Sequence, residues 1–465
     1  MRKPAPRSGP RGAIVLAAFA LAGCTPALVA PGPGVAAPAA WDEADPHAPT
    51  ARAPHDGWWQ HFRSRELESL ISEALAGNPD LAAATERVVQ AEIALRSAGA
   101  TLFPAVNLEA ATGLQTTDSG SASGTTRSSS LGVAMGYEID LWGSKSLQRD
   151  GARAQLAATR HDHDAARLSL RAGVASAYLH LLAQRERLAI AEGNLAIAER
   201  LFALVEARHR HGAASALDVS RQRSTVLAQR DAILPLRVQE RQMLRALALL
   251  LGRVPQGFEI TGVGLLALSV PDPAVPLPGE LLARRPDLAA TEARLVAADA
   301  NIAIARAALF PLKLSFSLAS TADSNALALT GLGSPTSTAS ITLSLLQAVF
   351  DGGRLRAQVE TTESQRRELL ENYRARTLAA LKEVEDALAA AARSRHQEAT
   401  QHEIRSEAER ALRLSELRYR SGSDRLDTLL DAQRSLFSAQ DQLVQQRLAR
   451  LSAAIDLYKA LGGGW

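Results

Sequence analysis

The stretch NPDLAAATERVVQAEIALRSAGATLFP, Asn78 to Pro104, is written twice in this chain. Its second copy, RPDLAATEARLVAADANIAIARAALFP, runs from Arg285 to Pro311 and aligns with the first without a gap. Pro79 pairs with Pro286, Asp80 with Asp287, Arg87 with Arg294, and Leu102-Phe103-Pro104 with Leu309-Phe310-Pro311. Further matches follow in the same order. YEIDLWG (Tyr137 to Gly143) takes the place of AVFDGGR (Ala348 to Arg354). LVEARHRHGAASALDV (Leu204 to Val219) answers LSELRYRSGSDRLDT (Leu414 to Thr428) with one residue fewer, which makes Asp218 the counterpart of Asp427. A repeat of about 200 residues is a duplicated fold, not a short-period solenoid.

Each half reads alike. Pro79 and Pro286 suit the first turn of a helix, with Asp80 and Asp287 at its positive end. The alanine-rich sequence keeps the helix going until Pro104 or Pro311 stops it. Alternation of apolar with small or polar residues follows, as in Val106, Leu108 and Ala110 or Leu312, Leu314, Phe316 and Leu318. It predicts strands at about 105–115, 130–140, 312–321 and 339–350. That pattern fits a membrane barrel and a soluble hairpin equally. Helices are expected over 79–103, 144–211 and 216–251, and again over 286–310, 354–420 and 426–460. No proline interrupts Gly143 to His211 or Gly353 to Ser421, so either could form one helix roughly 100 Å long. Val174, Leu181, Leu188, Leu195 and Phe202 recur every seventh residue, a coiled-coil spacing.

Phe103, Tyr137, Trp142, Phe310 and Phe350 cluster at the strand ends away from the Ser/Thr/Gly-rich hairpin loops. Such a group is either an aromatic girdle at a membrane interface or an apolar plug where helices meet a sheet. Four strands cannot close a barrel, and lipid tolerates no open edge. A membrane role therefore demands oligomerisation.

The N-terminus carries its own signal. Arg2, Lys3, Arg7 and Arg11 precede the apolar run AIVLAAFALAG, and then comes Cys24, the single cysteine. This is the order of a secretory leader, too short to remain as a spanning helix. With one cysteine no intrachain disulfide is possible, and the thiol is either an anchor or an ordinary buried residue. Loss of the leader's four basic residues turns the chain's +3 into a slight negative excess. No basic cluster interleaved with aromatics points to nucleic acid. The expected order is a leader at 1–23, a Pro/Ala-rich tether at 24–57 unable to bury a core, a first repeat at 58–251, a linker at 252–284 and a second repeat at 285–462.

The duplication, LFP before each first strand, YEIDLWG, FDGGRLRAQ and LDTLLDAQRSLFSAQ together resemble the TolC-like outer-membrane factors, and within them the lipidated branch serving resistance-nodulation-division efflux pumps. The resemblance runs in order from about Trp58 to Gly462. It implies a mainly α protein with a membrane β-barrel: a homotrimer whose four strands per protomer make a twelve-stranded barrel, continued by a twelve-helix periplasmic tunnel. It also implies lipidation of Cys24 within Leu-Ala-Gly-Cys and delivery to outer-membrane lipid. The implied partners are a periplasmic adaptor protein and an inner-membrane pump. The segments 57–77 and 252–282 would form a belt. The expected activity is passive export of drugs or other small toxic compounds, without catalysis, metal or cofactor. A duct for type I protein secretion and a non-pore coiled-coil scaffold lipoprotein are the alternatives.

A duct needs a gate, and the helix turns near His211 to Leu217 and Ser421 to Leu426 are where one would lie. Asp427 and Asp431 share a helix face, with Arg434 three residues on. Threefold repetition would make each acid a ring that favours cations; otherwise they form a solvated face with weak pairs. The resemblance places Asp431, in the intact LLDAQR, in the constriction, whereas Asp427 departs from the family's pattern. Tyr419, Asp218, Arg208, Arg210, Arg418 and Arg420 are nearby candidates. His161 and His163, like His209 and His211, are two apart on a helix and point to different faces, which does not make a metal site.

Overall fold

The computed structural model describes residues 38–43, 57–118, 123–271, 275–310, 313–324, 336–346 and 350–463. The leader, Cys24 and most of the tether lie outside these residues. The chain divides into two compact units, one of residues 91–156 and 292–371, the other, among the described residues, of 38–90, 157–291 and 372–463. In chain order the helices are α1 (Arg65–Gly77), α2 (Pro79–Ala100), α3 (Ser144–Arg210), α4 (Ala216–Leu250), α5 (Pro278–Arg284), α6 (Pro286–Ala307), α7 (Arg354–Arg420) and α8 (Leu426–Ala460). The strands are β1 (Ala105–Asp118), β2 (Ser123–Ile139), β3 (Lys313–Ser324) and β4 (Thr336–Leu346). No described helix is both long and apolar enough to cross a membrane.

The first unit holds an antiparallel sheet in the order β1-β2-β3-β4. Each hairpin comes from one repeat, and the β2–β3 ladder joins them, with Gly136 opposite Ser317 and Gly132 opposite Thr321. Gly132 is required by that closeness: a Cβ would stand 2.6 Å from the Thr321 methyl group. Val106, Leu108 and Leu114 on β1 and Leu131, Val133 and Ile139 on β2 are exposed. An uncovered apolar surface of this kind marks a contact face with lipid or protein. At the strand ends Asp140 accepts from Lys145 N (3.0 Å) and Ser146 N (2.8 Å), satisfying donors that open α3. Asp351 does the same for α7 through Leu355 N at 2.9 Å. The residues implement one capping scheme in both repeats.

The second unit holds the largest core. Trp58 is fully buried, stacks on Tyr458 at 5.1 Å and meets Phe62 edge-on at 6.1 Å. Around them pack Leu67, Ile71, Leu179, Leu182, Leu247 and Leu265. Ser64 starts α1 by accepting from Leu67 N at 3.1 Å. Glu66 then holds the linker. It accepts from Thr261 N (2.6 Å), Gly262 N (2.9 Å) and the Tyr178 hydroxyl (2.9 Å). Burial pushes its carboxyl up, but these bonds to the charged form outweigh it and leave the group below its ordinary value. Burial and the same carboxylate push Tyr178 up to about 12.

The repeats close on themselves in the same way. After α4, Gly252 takes a left-handed φ of 71° and Arg253 N bonds Ala248 O at 2.9 Å. After α8, Gly462 takes 84° and Gly463 N bonds Tyr458 O at 2.9 Å. Both are glycine-terminated helix ends. A Cβ at Gly252 would strike the Gly77 carbonyl, and one at Gly462 would lie 2.7 Å from the Arg284 carbonyl.

One stretch differs from the tether expected over 24–57. Trp41 is only 7% exposed and sits among Leu281, Val384, Leu388, Leu457 and Leu461. Its indole N–H donates to Pro276 O at 2.7 Å. Composition averages over a segment, whereas a single indole with a partner for its N–H is enough to fix one point of it.

Candidate functional site

The two helix turns are superimposable in chain position. α3 and α7 are both 67 residues long, α4 and α8 both 35, and Ser144, Arg210 and Ala216 correspond to Arg354, Arg420 and Leu426. Gly212 (φ 75°) and Gly422 (φ 78°) turn the chain, with Ala213 N bonding Arg208 O (2.8 Å) and Ser423 N bonding Arg418 O (2.9 Å). No gap separates the copies. The equivalence of Asp218 with Asp427 is therefore replaced: Asp218 corresponds to Thr428, and Asp427 to Leu217. A shared Leu-Asp pair suggests the shifted alignment, but equal helix ends exclude it.

Asp218 serves its own turn. It accepts from Ser215 N at 2.9 Å while Ser215 Oγ accepts from Asp218 N at 3.1 Å, a reciprocal capping box. The Ser215 backbone N–H holds the Asp218 carboxyl below its ordinary range, helped by the Ser215 hydroxyl, Arg221 and Arg425. In the second turn Arg425 stands at the capping position and makes no side-chain cap. Asp424 accepts instead from Arg425 N (2.8 Å) and the Thr428 hydroxyl (3.0 Å), which depresses its carboxyl.

Asp427 meets Arg221 of α4 at 2.5 Å and Arg425 at 3.1 Å. Asp431 pairs with Arg434 at 2.9 Å, and both side chains are more than 70% exposed. The second hairpin is thus tied by charge to the first, while the Asp431–Arg434 pair stays on the surface. Tyr419 lies elsewhere. It is 4% exposed, within a cluster of Leu201, Val205, Leu412, Leu429, Leu430 and Leu436. The Arg208 guanidinium stacks 4.6 Å from its ring centre and donates to its backbone carbonyl. Burial pushes its hydroxyl up. Tyr419 and Arg208 together fix the turn from inside.

Two participants escaped the sequence reading. Arg221 gave no sign, being one of many arginines. Gln433 had a signal: it occupies the buried leucine spacing Leu426, Leu429, Leu430, Leu436. It is fully buried, and neither amide atom has a hydrogen-bond partner among the described residues. Of the aromatics, Phe103, Phe310 and Phe350 are exposed, and Trp142 stacks on Phe310 at 4.9 Å. Lys145 Nζ lies 5.9 Å over the Tyr137 ring. Among the described residues no group of His, Cys, Asp and Glu is arranged to hold a metal ion. His209 Nδ1 donates to Ala214 O at 2.8 Å, and His163 lies 3.3 Å from Thr85 Oγ1.

The chain matches the family described as outer membrane efflux protein over residues 70–253 and 277–463. It is similar to the pyoverdine export outer membrane protein OpmQ of Pseudomonas aeruginosa, 40% identical over 422 residues covering 88% of this chain and 87% of that one. The toluene efflux pump outer membrane protein TtgC of Pseudomonas putida is 33% identical over 97% of this chain and 95% of its own. Among solved structures, the open state of the Neisseria gonorrhoeae MtrE outer membrane channel matches with a TM-score of 0.81 at 27% identity, over 94% of this chain and 97% of that one. The fold class is that of the TolC-like outer membrane channels, mostly helical with a small sheet.

Proposed function

The chain belongs to the outer membrane efflux protein family, and from that premise we propose that it is the passive outer-membrane duct of a tripartite efflux system. The observation that carries this reading is the sheet. Its four strands expose apolar side chains on β1 and β2, and β1 and β4 have no outer strand partner among the described residues. In lipid such edges must be closed. Three copies make a twelve-stranded barrel, within the range of outer-membrane barrels. The exposed Phe103, Phe310 and Phe350, with Tyr137 and Trp142, take the headgroup level. Cys24 carries the lipid anchor. The long helices supply a periplasmic tunnel, reached through an adaptor protein and driven by an inner-membrane resistance-nodulation-division pump. OpmQ is named for pyoverdine export and TtgC for toluene efflux; the cargo here is of the same broad kind, drugs or other small organic compounds.

Asp427 and Asp431, repeated by threefold symmetry, line the periplasmic mouth and favour cations. Planar-bilayer conductance of the purified trimer tests duct and gate together. Small, cation-preferring currents are expected, growing in the Asp427→Ala/Asp431→Ala variant. Unchanged currents in that variant place the gate elsewhere. An inserted trimer silent in both forms leaves a helical scaffold in place of a duct.

A further inference from the structure

The buried side of the second hairpin contains an amide with nothing to bond. Gln433 is fully buried, and neither Oε1 nor Nε2 has a hydrogen-bond partner among the described residues. Other buried glutamines of the same unit meet this need at a helix carbonyl. Gln222, also fully buried, donates to Ala198 O at 3.0 Å and leaves only its Oε1 unmet. Gln401, 6% exposed, donates to Ala439 O at 3.1 Å. Gln433 reaches no such carbonyl.

The duplication shows that the hairpin itself does not require this burial. With Ala216 equivalent to Leu426 and the two helices equal in length, Ser220 answers Leu430 and Arg223 answers Gln433. Ala216, Ser220 and Arg223 are exposed, whereas Leu426, Leu430 and Gln433 are buried. One stripe of α8, spaced i, i+4, i+7, is therefore covered where its counterpart on α4 faces outward. The leucines of that stripe share a cluster with Leu201 and Val205 of the first hairpin. This is the junction that Arg221–Asp427 and Arg208–Tyr419 also hold.

Burying an unbonded amide costs free energy that hydration recovers. A leucine at 433 would fill the seam without that cost. The amide thus works against the packed junction and favours any arrangement in which the hairpins part and water reaches it.

We propose that Gln433 is a positioning residue for the mouth: its dry amide destabilises the packed tip, which is the closed arrangement, and so sets how readily the hairpins part. Gln433 lies two residues after Asp431 and directly before Arg434, so the separation that wets it also displaces the charges of the mouth. The inference rests on the duct reading.

Gln433→Leu, nearly matched in size, tests it on the intact trimer through thermal midpoint and planar-bilayer current. A higher midpoint is expected together with an open fraction about tenfold lower, the scale of one unmet buried amide. A higher midpoint with unchanged or larger current overturns the role at the mouth and leaves a packing fault only. A lower midpoint overturns the premise, because the amide then has a bond to lose. Gln433→Met, which keeps the length and drops the amide, must move both readings the same way; opposite signs from the two variants overturn the inference. An inserted wild-type trimer that passes no current fails the duct reading and the inference with it. A conducting wild type beside variants with unaffected current fails the inference alone.

Discussion

The first and second repeats share a backbone and differ in how they hold it. Where conformation alone sets the requirement, the residues agree: Gly212 and Gly422 at the turns, Gly252 and Gly462 at the helix ends, Asp140 and Asp351 at the helix starts. Where a bond can be made by more than one group, they diverge. Asn78 caps α2 through Leu81 N and donates to Leu250 O, both at 2.9 Å. Its counterpart Arg285 reaches the equivalent carbonyl, Ala460 O, at 3.3 Å, and also holds Asp287 and Glu383. The first turn closes on itself through Ser215 and Asp218, whereas the second borrows Arg221 and Arg208 from its neighbour. Self-sufficiency belongs to the first hairpin and dependence to the second.

The strongest test of what the repeats share is glycine replacement. Gly252→Ala and Gly462→Ala should each cost about 3 kcal/mol, from left-handed strain plus collision with a carbonyl. Similar falls in thermal midpoint are expected; a silent variant at either site would break the equivalence of the two closures.

The next test separates them. Arg285→Ala should cost about 3 kcal/mol, because it strands the half-buried Asp287, while Asn78→Ala loses a cap worth about 1 kcal/mol. Their pH profiles should differ too. Burial raises the Asp287 carboxyl but Arg285 lowers it more, so its folded value lies below its unfolded one. That contribution is complete above the ordinary carboxylate range and is lost as the pH falls through the depressed value. Acid unfolding of Arg285→Ala should lack this component, and that of Asn78→Ala should keep it.

Smaller effects are expected at the turns. Ser215→Ala should cost about 1 kcal/mol, whereas Arg425→Ser should stabilise by about 0.5 kcal/mol by supplying the missing cap. Chemical denaturation reads both, and a loss in Arg425→Ser would show that its pair with Asp427 outweighs a cap. Smallest of all, Asp431→Ala should move stability by less than about 0.5 kcal/mol, since its pair with Arg434 is exposed. Any large effect of that variant belongs in conductance.

The fold class was legible because the chain states it twice. Proline at helix starts, proline where those helices stop and alternation in the strands are local rules, and each was visible in both repeats. The tip was less legible. Asp431 and Asp427 stand out as acids near a turn, but which cation meets which acid depends on side chains over 200 positions apart, as with Arg221 and Asp427. Tyr419 looked like a surface partner because it sits between two arginines in the sequence; burial against Leu201 and Leu429 is a tertiary fact. The shifted pairing of Asp218 came from matching residue types where only helix length decides. Trp41 was hidden by the proline and alanine around it.

The sheet with its two open edges has a hereditary consequence. A copy whose β1 or β4 cannot pair does not merely lose its own share of the wall; in a closed ring it leaves a seam that its sound neighbours cannot mend. In a cell expressing both forms, such an allele should act as dominant, depressing export well beyond its own proportion. A substitution confined to the helix turns, which spares the seam, should be recessive. Co-expression of a tagged β1 variant with the wild-type chain, scored by the yield of intact assemblies, distinguishes the two.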